Sequence, residues 1–214
     1  MSADIQEYMT VEKESSDEFT ERKSRFIGYI KPVQEENQAV EFIEKIRKKH
    51  WDATHNVYAY ILDGGRVKRY SDDGEPKGTA GIPVLDVLEK EGLTDCVVVV
   101  TRYFGGILLG AGGLVRAYSH GARIAVDAGG RLRMRLRSVM SVKCDYSFYG
   151  RLQLFIPQMD GIIEDTEFTE NIKITFTLPH GADGEFNRKL ADLSNGSMQA
   201  EAVGVRFAGE PVTK

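Results

Sequence analysis

The residues of this chain best placed to do chemistry surround Thr101–Tyr118, TRYFGGILLGAGGLVRAY, in which five of 18 residues are glycine. A continuous apolar run, Cys96–Val100, precedes it, and an alanine-rich stretch with helical spacing, YSHGARIAVDAG, follows. The order is therefore buried strand, glycine-rich loop, helix. Glycines let backbone N–H groups approach a ligand without Cβ clashes. A helix N-terminus adds unpaired donors and partial positive charge. The chemistry this favours is anion binding, with Arg102 and Arg116 flanking the loop and the Gly105-Gly106 backbone between them. The competing reading is packing, because the same glycines allow tight turns and close helix–sheet approach. The segment is not a Walker loop, since no Gly-Lys-Ser/Thr follows. Leu114, Val115 and Arg116 stand where a dinucleotide fingerprint needs its third glycine.

Other candidates lie elsewhere in the chain. Ser71–Gly78, SDDGEPKG, holds Asp72, Asp73 and Glu75 within four residues. Clustered oxygens invite a divalent cation, but the stretch lacks the residue count and terminal glutamate of an EF-hand loop. Asp-Gly and Glu-Pro mark turns, so a structural turn is expected and no metal is assigned. Lys77, with the Gly78 and Thr79 amides, forms a second small anion site at the start of a helix that Thr79 caps and Gly92 stops. His55, opening the strand-like HNVYAYIL, would act as a donor or proton carrier. Lys23 and Arg25 share one face of a strand and would meet a ligand there, or serve as exposed edge cations. Arg131, Arg133, Arg135 and Arg137 fall on one side of an extended RLRMRLR. That stripe suits phosphates; its alternative is the solvated outer face of a half-buried strand.

The glycine-rich stretch, together with SDDGEPKGTAGIP (Ser71 to Pro83), closely resembles the signature motifs of the IMPACT family, which spans bacteria and eukaryotes. The resemblance implies a two-domain cytoplasmic protein linked to translation, without a settled chemistry. It further implies that the second domain is similar to the last domain of elongation factor G, as in the bacterial branch. Eukaryotic IMPACT relatives regulate translation by binding the activator of a starvation-responsive initiation-factor kinase, which makes protein binding an alternative to RNA binding.

The elements that must position these residues follow from the pattern. With 214 residues the chain suffices for one large or two small domains. Its 42% hydrophobic and 28% charged content is that of an ordinary soluble protein, and a net charge of −4 leaves no global nucleic-acid footprint. Cys96 and Cys144 read as small core residues. The N-terminus lacks a signal-peptide core, no apolar run is long enough to span a membrane, and a cytoplasmic location is expected.

Residues 1–22 are polar and are expected to begin loosely, with a short strand near Tyr8–Lys13. A strand over Ser24–Val33, a helix over Glu35–His50 and a helix from about Gly112 to Ala128 follow. Gly129-Gly130 closes that helix and places the domain boundary within Gly129–Arg137. The remainder reads β-α-β-β-α-β, a ferredoxin-like order. The expected fold class is α+β: an N-terminal mixed α/β sandwich of the ribosomal-protein-like type over 1–133, and a ferredoxin-like βαββαβ domain over 134–214.

Two functions compete. The first is a translation-linked binding protein that engages RNA, the ribosome or a translation-regulating protein, with Lys23, Arg25, His55, Lys77, Arg102 and Arg116 around two glycine-bearing helix starts. The second is an enzyme acting on a phosphorylated or acyl small molecule, with His55 as acid–base group and Asp72 and Asp73 orienting it or holding a metal. No nucleophile elbow, HExxH or metal-ligand spacing supports the second, so binding is favoured, with no catalytic residue and no cofactor assigned.

Overall fold

The apolar run Cys96–Val100 becomes the central strand of a five-stranded sheet in a computed structural model, which describes residues 6–212. In chain order the elements are β1 (Glu7–Val11), β2 (Ser15–Glu21), β3 (Ser24–Pro32), α1 (Glu36–Lys49), β4 (His55–Leu62), β5 (Val67–Ser71), α2 (Gly81–Lys90), β6 (Cys96–Tyr103) and α3 (Gly110–Gly129). There follow β7 (Arg131–Cys144), α4 (Tyr146–Gln158), β8 (Ile162–Phe168), β9 (Ile172–Pro179), α5 (Asp183–Ser194) and β10 (Glu201–Pro211). The architecture is α+β. The chain divides into two compact units: the first runs to Arg133 and regains the stretch from Glu210, and the second is Met134–Gly209.

In the first unit the strands lie in the order β2-β3-β6-β4-β5, each antiparallel to its neighbour. Strand β6 is covered on both faces, which is why its sequence is a valine run rather than an alternation. On one face Phe26, Ile30, Val98 and Val100 pack against Ala117, Tyr118, Ala122 and Ala125 of α3, together with Val84 and Leu88 of α2. On the other, Ile27, Val97 and Val99 pack against Phe42, Ile43 and Ile46 of α1. Each fully buried side chain of this kind contributes about 1.5–3 kcal/mol. Helix α3 lies so close to the sheet that a Cβ at Gly28 would sit 2.1 Å from the Gly121 carbonyl oxygen.

Strand β2 differs from the expectation of a loose N-terminal stretch. It pairs with β3 from Ser15↔Ile30 to Glu21↔Ser24. Its sequence, SSDEFTE, has one large apolar residue, Phe19, so the alternation that signals a strand is nearly absent. The turn joining β2 to β3 is made by Arg22 and Lys23, both at positive φ (46° and 65°). Two-residue hairpins need that backbone geometry but normally announce it with Asn-Gly or Asp-Gly.

The second sheet has five strands, in the order β1-β7-β9-β8 with β10 also paired to β7; within the second unit β10, β7, β9 and β8 give the ferredoxin-like arrangement of a βαββαβ chain. Met140, Val142, Ile174 and Phe176 bury against Leu152 and Ile156 of α4 and Phe186 and Leu190 of α5. Pro157 is the penultimate residue of α4, so the helix ends there as its ring requires. The chain passes from the first unit to the second within the continuous strand β7, not through a loop. Beyond β10 the Val212 N–H donates to the Arg131 carbonyl, which ties the end of the described chain to the first unit. No helix among the described residues is long and apolar enough to cross a membrane.

Candidate functional site

The register of the first sheet assembles the site. Antiparallel pairing sets Arg102 of β6 opposite His55 of β4 on one side and opposite Phe26 of β3 on the other. All three lie on the α3 face, at the end where the valine run of β6 stops. Phe26 and Phe104 flank the Arg102 guanidinium at 5.5 Å and 5.4 Å from their ring centroids.

Arg102 is 5% exposed and forms an ion pair with Glu75, which is 8% exposed. Arg102 Nη1 donates to Glu75 Oε1 at 2.5 Å, and the Tyr118 hydroxyl donates to the same oxygen at 2.7 Å. Burial, reinforced by the Glu75 charge, holds the Tyr118 hydroxyl far above the ordinary tyrosine range, so it stays a donor. His55 Nε2 lies 3.8 Å from Glu75 Oε1. Its Nδ1 lies 2.7 Å from the Asp73 carbonyl oxygen, which only accepts, so Nδ1 carries the ring proton. The buried Nε–H of Arg102 has no hydrogen-bond partner among the described residues.

A cavity of about 350 Å³ opens over this group. Thr54, His55, Glu75 and Arg102 supply its polar lining, Pro76, Phe104, Leu108, Leu109 and Leu114 its apolar walls, and Gly110 and Ala111 bring the first turn of α3 to its edge. Among the described residues no side chain caps α3, which leaves its first N–H groups without a side-chain partner. Leu108 is 80% exposed at the rim.

A second, larger cavity of about 620 Å³ lies between β2 and α3, lined by Phe19, Thr20, Glu21, Arg22, Leu109, Gly113, Arg116, Ala117 and His120. Arg22 donates to the Leu108 carbonyl at 3.5 Å, and neither Arg22 nor Arg116 has a carboxylate partner among the described residues. His120 stands edge-on to Phe19, with ring centroids 4.5 Å apart. Leu109 borders both cavities.

The expected single surface carrying Arg102, Gly105, Gly106, Arg116, Lys77 and Thr79 is therefore not what forms. Arg102 lines the first cavity and Arg116 the second. The helix start at Gly78-Thr79 is already occupied by the protein's own anion. Asp72 accepts from the N–H groups of Gly78 (2.8 Å), Ala80 (3.2 Å) and Gly81 (2.8 Å), so Asp72 rather than Thr79 caps α2. The Thr79 hydroxyl instead donates to the Pro76 carbonyl, and Lys77 is exposed. Gly105 lies against the β2–β3 turn, where a Cβ would fall 2.0 Å from the Lys23 backbone; Gly106 is exposed in the loop. Lys23 is exposed in that turn, and Arg25 pairs with Glu18 at 2.6 Å.

The arginine stripe is held by internal partners. Arg131 pairs with Glu91 (2.7 Å) and Asp127 (2.9 Å), and Arg133 with Glu7 (3.4 Å). Arg137 is 2% exposed and donates to Thr177 and to the Asp160 carbonyl; Arg135 is half-buried. The three carboxylates of the acidic turn likewise go separate ways. Asp72 caps α2, Asp73 takes the Asn56 N–H (2.6 Å) and Arg47 (3.1 Å), and Glu75 takes Arg102. Sequence reasoning did not connect Glu75 to Arg102 or Tyr118, because that contact joins three elements far apart in the chain. Arg22 had no signal beyond being a cation beside Lys23.

Comparison with known proteins adds the kinship. Residues 22–126 match the Impact N-terminal domain, and residues 142–197 match a domain of unknown function (DUF1949). The chain is 37% identical over 193 residues to IMPACT family member YvyE of Bacillus subtilis, covering 90% of this chain and 89% of that protein. It is 36% identical over 185 residues to IMPACT family member YigZ of Escherichia coli, covering 85% and 91%. Protein IMPACT of Rattus norvegicus is 36% identical over 95 residues, covering 42% of this chain and 30% of that one. A solved structure described as "Crystal structure of an hypothetical protein" superposes with a TM-score of 0.60 at 32% identity, covering 94% of this chain and 98% of that chain. Two matched domains, and relatives aligned over most of both chains, place this chain in the IMPACT family.

Proposed function

We propose that this protein is a translation-linked binding protein whose first unit holds single-stranded RNA across the start of α3. The observation that carries the reading is that Arg22 and Arg116 line one cavity and have no carboxylate partner among the described residues, whereas Arg25, Arg102, Arg131 and Arg133 are all paired. Unpaired arginines beside a groove supply phosphate contacts that carry affinity without sequence information. Arg22 is presented from a left-handed turn that costs of order 1 kcal/mol or more in a non-glycine residue, a kind of strain that concentrates at functional sites. Phe19, His120 and Phe104 add rings of the sort on which bases stack. The translation link rests on family membership. Titration of labelled single-stranded RNA by fluorescence anisotropy tests the reading: Arg116→Ala weakens binding at low salt without lowering the melting temperature. Equal affinity of native and variant protein would count against it.

A second reading rests on His55, whose Nδ1–H donates to the Asp73 carbonyl and whose ring lines a cavity, the position a general base would take. It places no nucleophile there: the Ser71 hydroxyl accepts from the Asp73 N–H, and the Thr79 hydroxyl is used by Pro76. Turnover of a phosphoester or acyl substrate that disappears in His55→Ala, with the fold kept, would favour this enzyme.

A further inference from the structure

We propose that the cavity at His55, Glu75 and Arg102 receives an unpaired guanine base by its Watson–Crick edge; this rests on the RNA-binding reading above and names what the site reads.

The polar groups left over after internal bonding define the ligand. Glu75 Oε1 is taken by Arg102 and Tyr118, while Oε2 has no donor among the described residues. His55 Nδ1–H is taken by the Asp73 carbonyl, so in the neutral tautomer that this bond selects Nε2 is a second acceptor. On the donor side, the buried Arg102 Nε–H has no partner among the described residues, and no side chain of those residues caps the start of α3. The cavity therefore offers two acceptors and donors around apolar walls. Guanine presents the complement on one edge: N1–H and the N2 amino group as donors, and O6 as acceptor. Adenine presents one donor and one acceptor there. Cytosine and uracil each present two acceptors and one donor, the wrong balance.

A bare phosphate fits less well. The Glu75 carboxylate cancels the Arg102 charge and would face the anion in a partly desolvated site. Phosphates belong instead in the neighbouring groove of Arg22, Arg116 and His120, which shares Leu109 as its wall. A strand crossing α3 at this point places a base on one side and its backbone on the other. The Phe104 side chain, 45% exposed at the rim, supplies a stacking surface. The volume, about 350 Å³, is in the range of small-ligand sites.

The test is a titration of the native protein with uridine tracts carrying one central G, inosine or A, beside the all-uridine tract. The G tract binds roughly five- to a hundred-fold more tightly than the A tract, and inosine, which lacks the N2 amino group, loses part of that preference. In Glu75→Gln, Arg102 and Tyr118 hold the amide oxygen at the Oε1 position, so the amide NH₂ replaces Oε2 as a donor. That variant loses the preference for G, so the ratio of its affinities for the G tract and the A tract falls toward one. Equal binding of the G, A and all-uridine tracts would overturn the guanine site and leave the RNA-binding reading standing. No binding of any tract at low salt would overturn both. If Glu75→Gln does not fold, the inosine comparison on the native protein decides alone: binding of inosine as tight as G contradicts recognition through both donors.

Discussion

Glu75 Oε1 accepts from both Arg102 Nη1, at 2.5 Å, and the Tyr118 hydroxyl, at 2.7 Å. One carboxylate oxygen thus ties β6 and α3 to the loop before α2. Glu75→Ala leaves the Arg102 charge buried and unpaired, and a loss of about 3–5 kcal/mol in unfolding free energy is expected. Tyr118→Phe removes one hydrogen bond to a charged group, for a loss of about 1.5–3 kcal/mol. Denaturant titration of the two variants checks the order; a Tyr118→Phe protein less stable than Glu75→Ala would contradict it.

Asp72 occupies the N-terminus of α2 as an internal anion. Asp72→Ala exposes those N–H groups and lowers stability by about 0.5–2 kcal/mol, while RNA affinity is unaffected because the residue lines neither cavity. Thermal melts and binding titrations on the one variant check both halves. A fall in affinity without a fall in stability would restore this helix start as a ligand site.

His50 sits between two tyrosines: the Tyr29 hydroxyl is 2.7 Å from Nε2 and the Tyr103 hydroxyl 2.8 Å from Nδ1. Tyr103 donates to Asp52 and Lys49 to Tyr29. The chain of donors is then complete with a neutral ring: Lys49 to Tyr29, Tyr29 to Nε2, Nδ1–H to Tyr103, Tyr103 to Asp52. Burial, aided by the Lys49 charge, holds the imidazole below its ordinary value of 6.5. The folded state therefore resists a proton that the unfolded chain accepts. Stability is full above pH 6.5 and falls as the pH drops through that value toward the folded pKa. Urea midpoints from pH 7.5 to pH 5 check this, with a shallower decline expected in His50→Gln.

Much of this fold was legible from pattern, and the exceptions have physical causes. The valine run of β6 and the apolar stripe of α1 each met one requirement, burial, that dictates residue type directly. The glycines served packing as well as turns. Gly28 lets α3 approach the sheet and Gly105 lets the loop lie on the Lys23 backbone, so Gly105→Ala is expected to lower stability by about 1–3 kcal/mol with or without RNA. Arg102 was legible as a functional candidate, but its ionic state was not, because its carboxylate comes from a turn 27 residues away. Arg131 and Arg133 were legible as a stripe, but their partners Glu91, Asp127 and Glu7 are set by tertiary packing, which spacing does not carry. Strand β2 was hidden by its polar sequence and by a turn without glycine or asparagine.

The central claim is that Arg22 and Arg116 hold the backbone of single-stranded RNA. It is tested most directly by the salt dependence of RNA affinity in the native protein and in Arg22→Ala/Arg116→Ala. Each phosphate contact contributes about −0.7 to the slope of log K against log salt for single strands, so the double variant should have a slope shallower by about 1.4. Its melting temperature should stay near that of the native protein, because neither arginine has a carboxylate partner to lose among the described residues. An unchanged slope, with both proteins binding RNA equally at every salt concentration, would contradict the account.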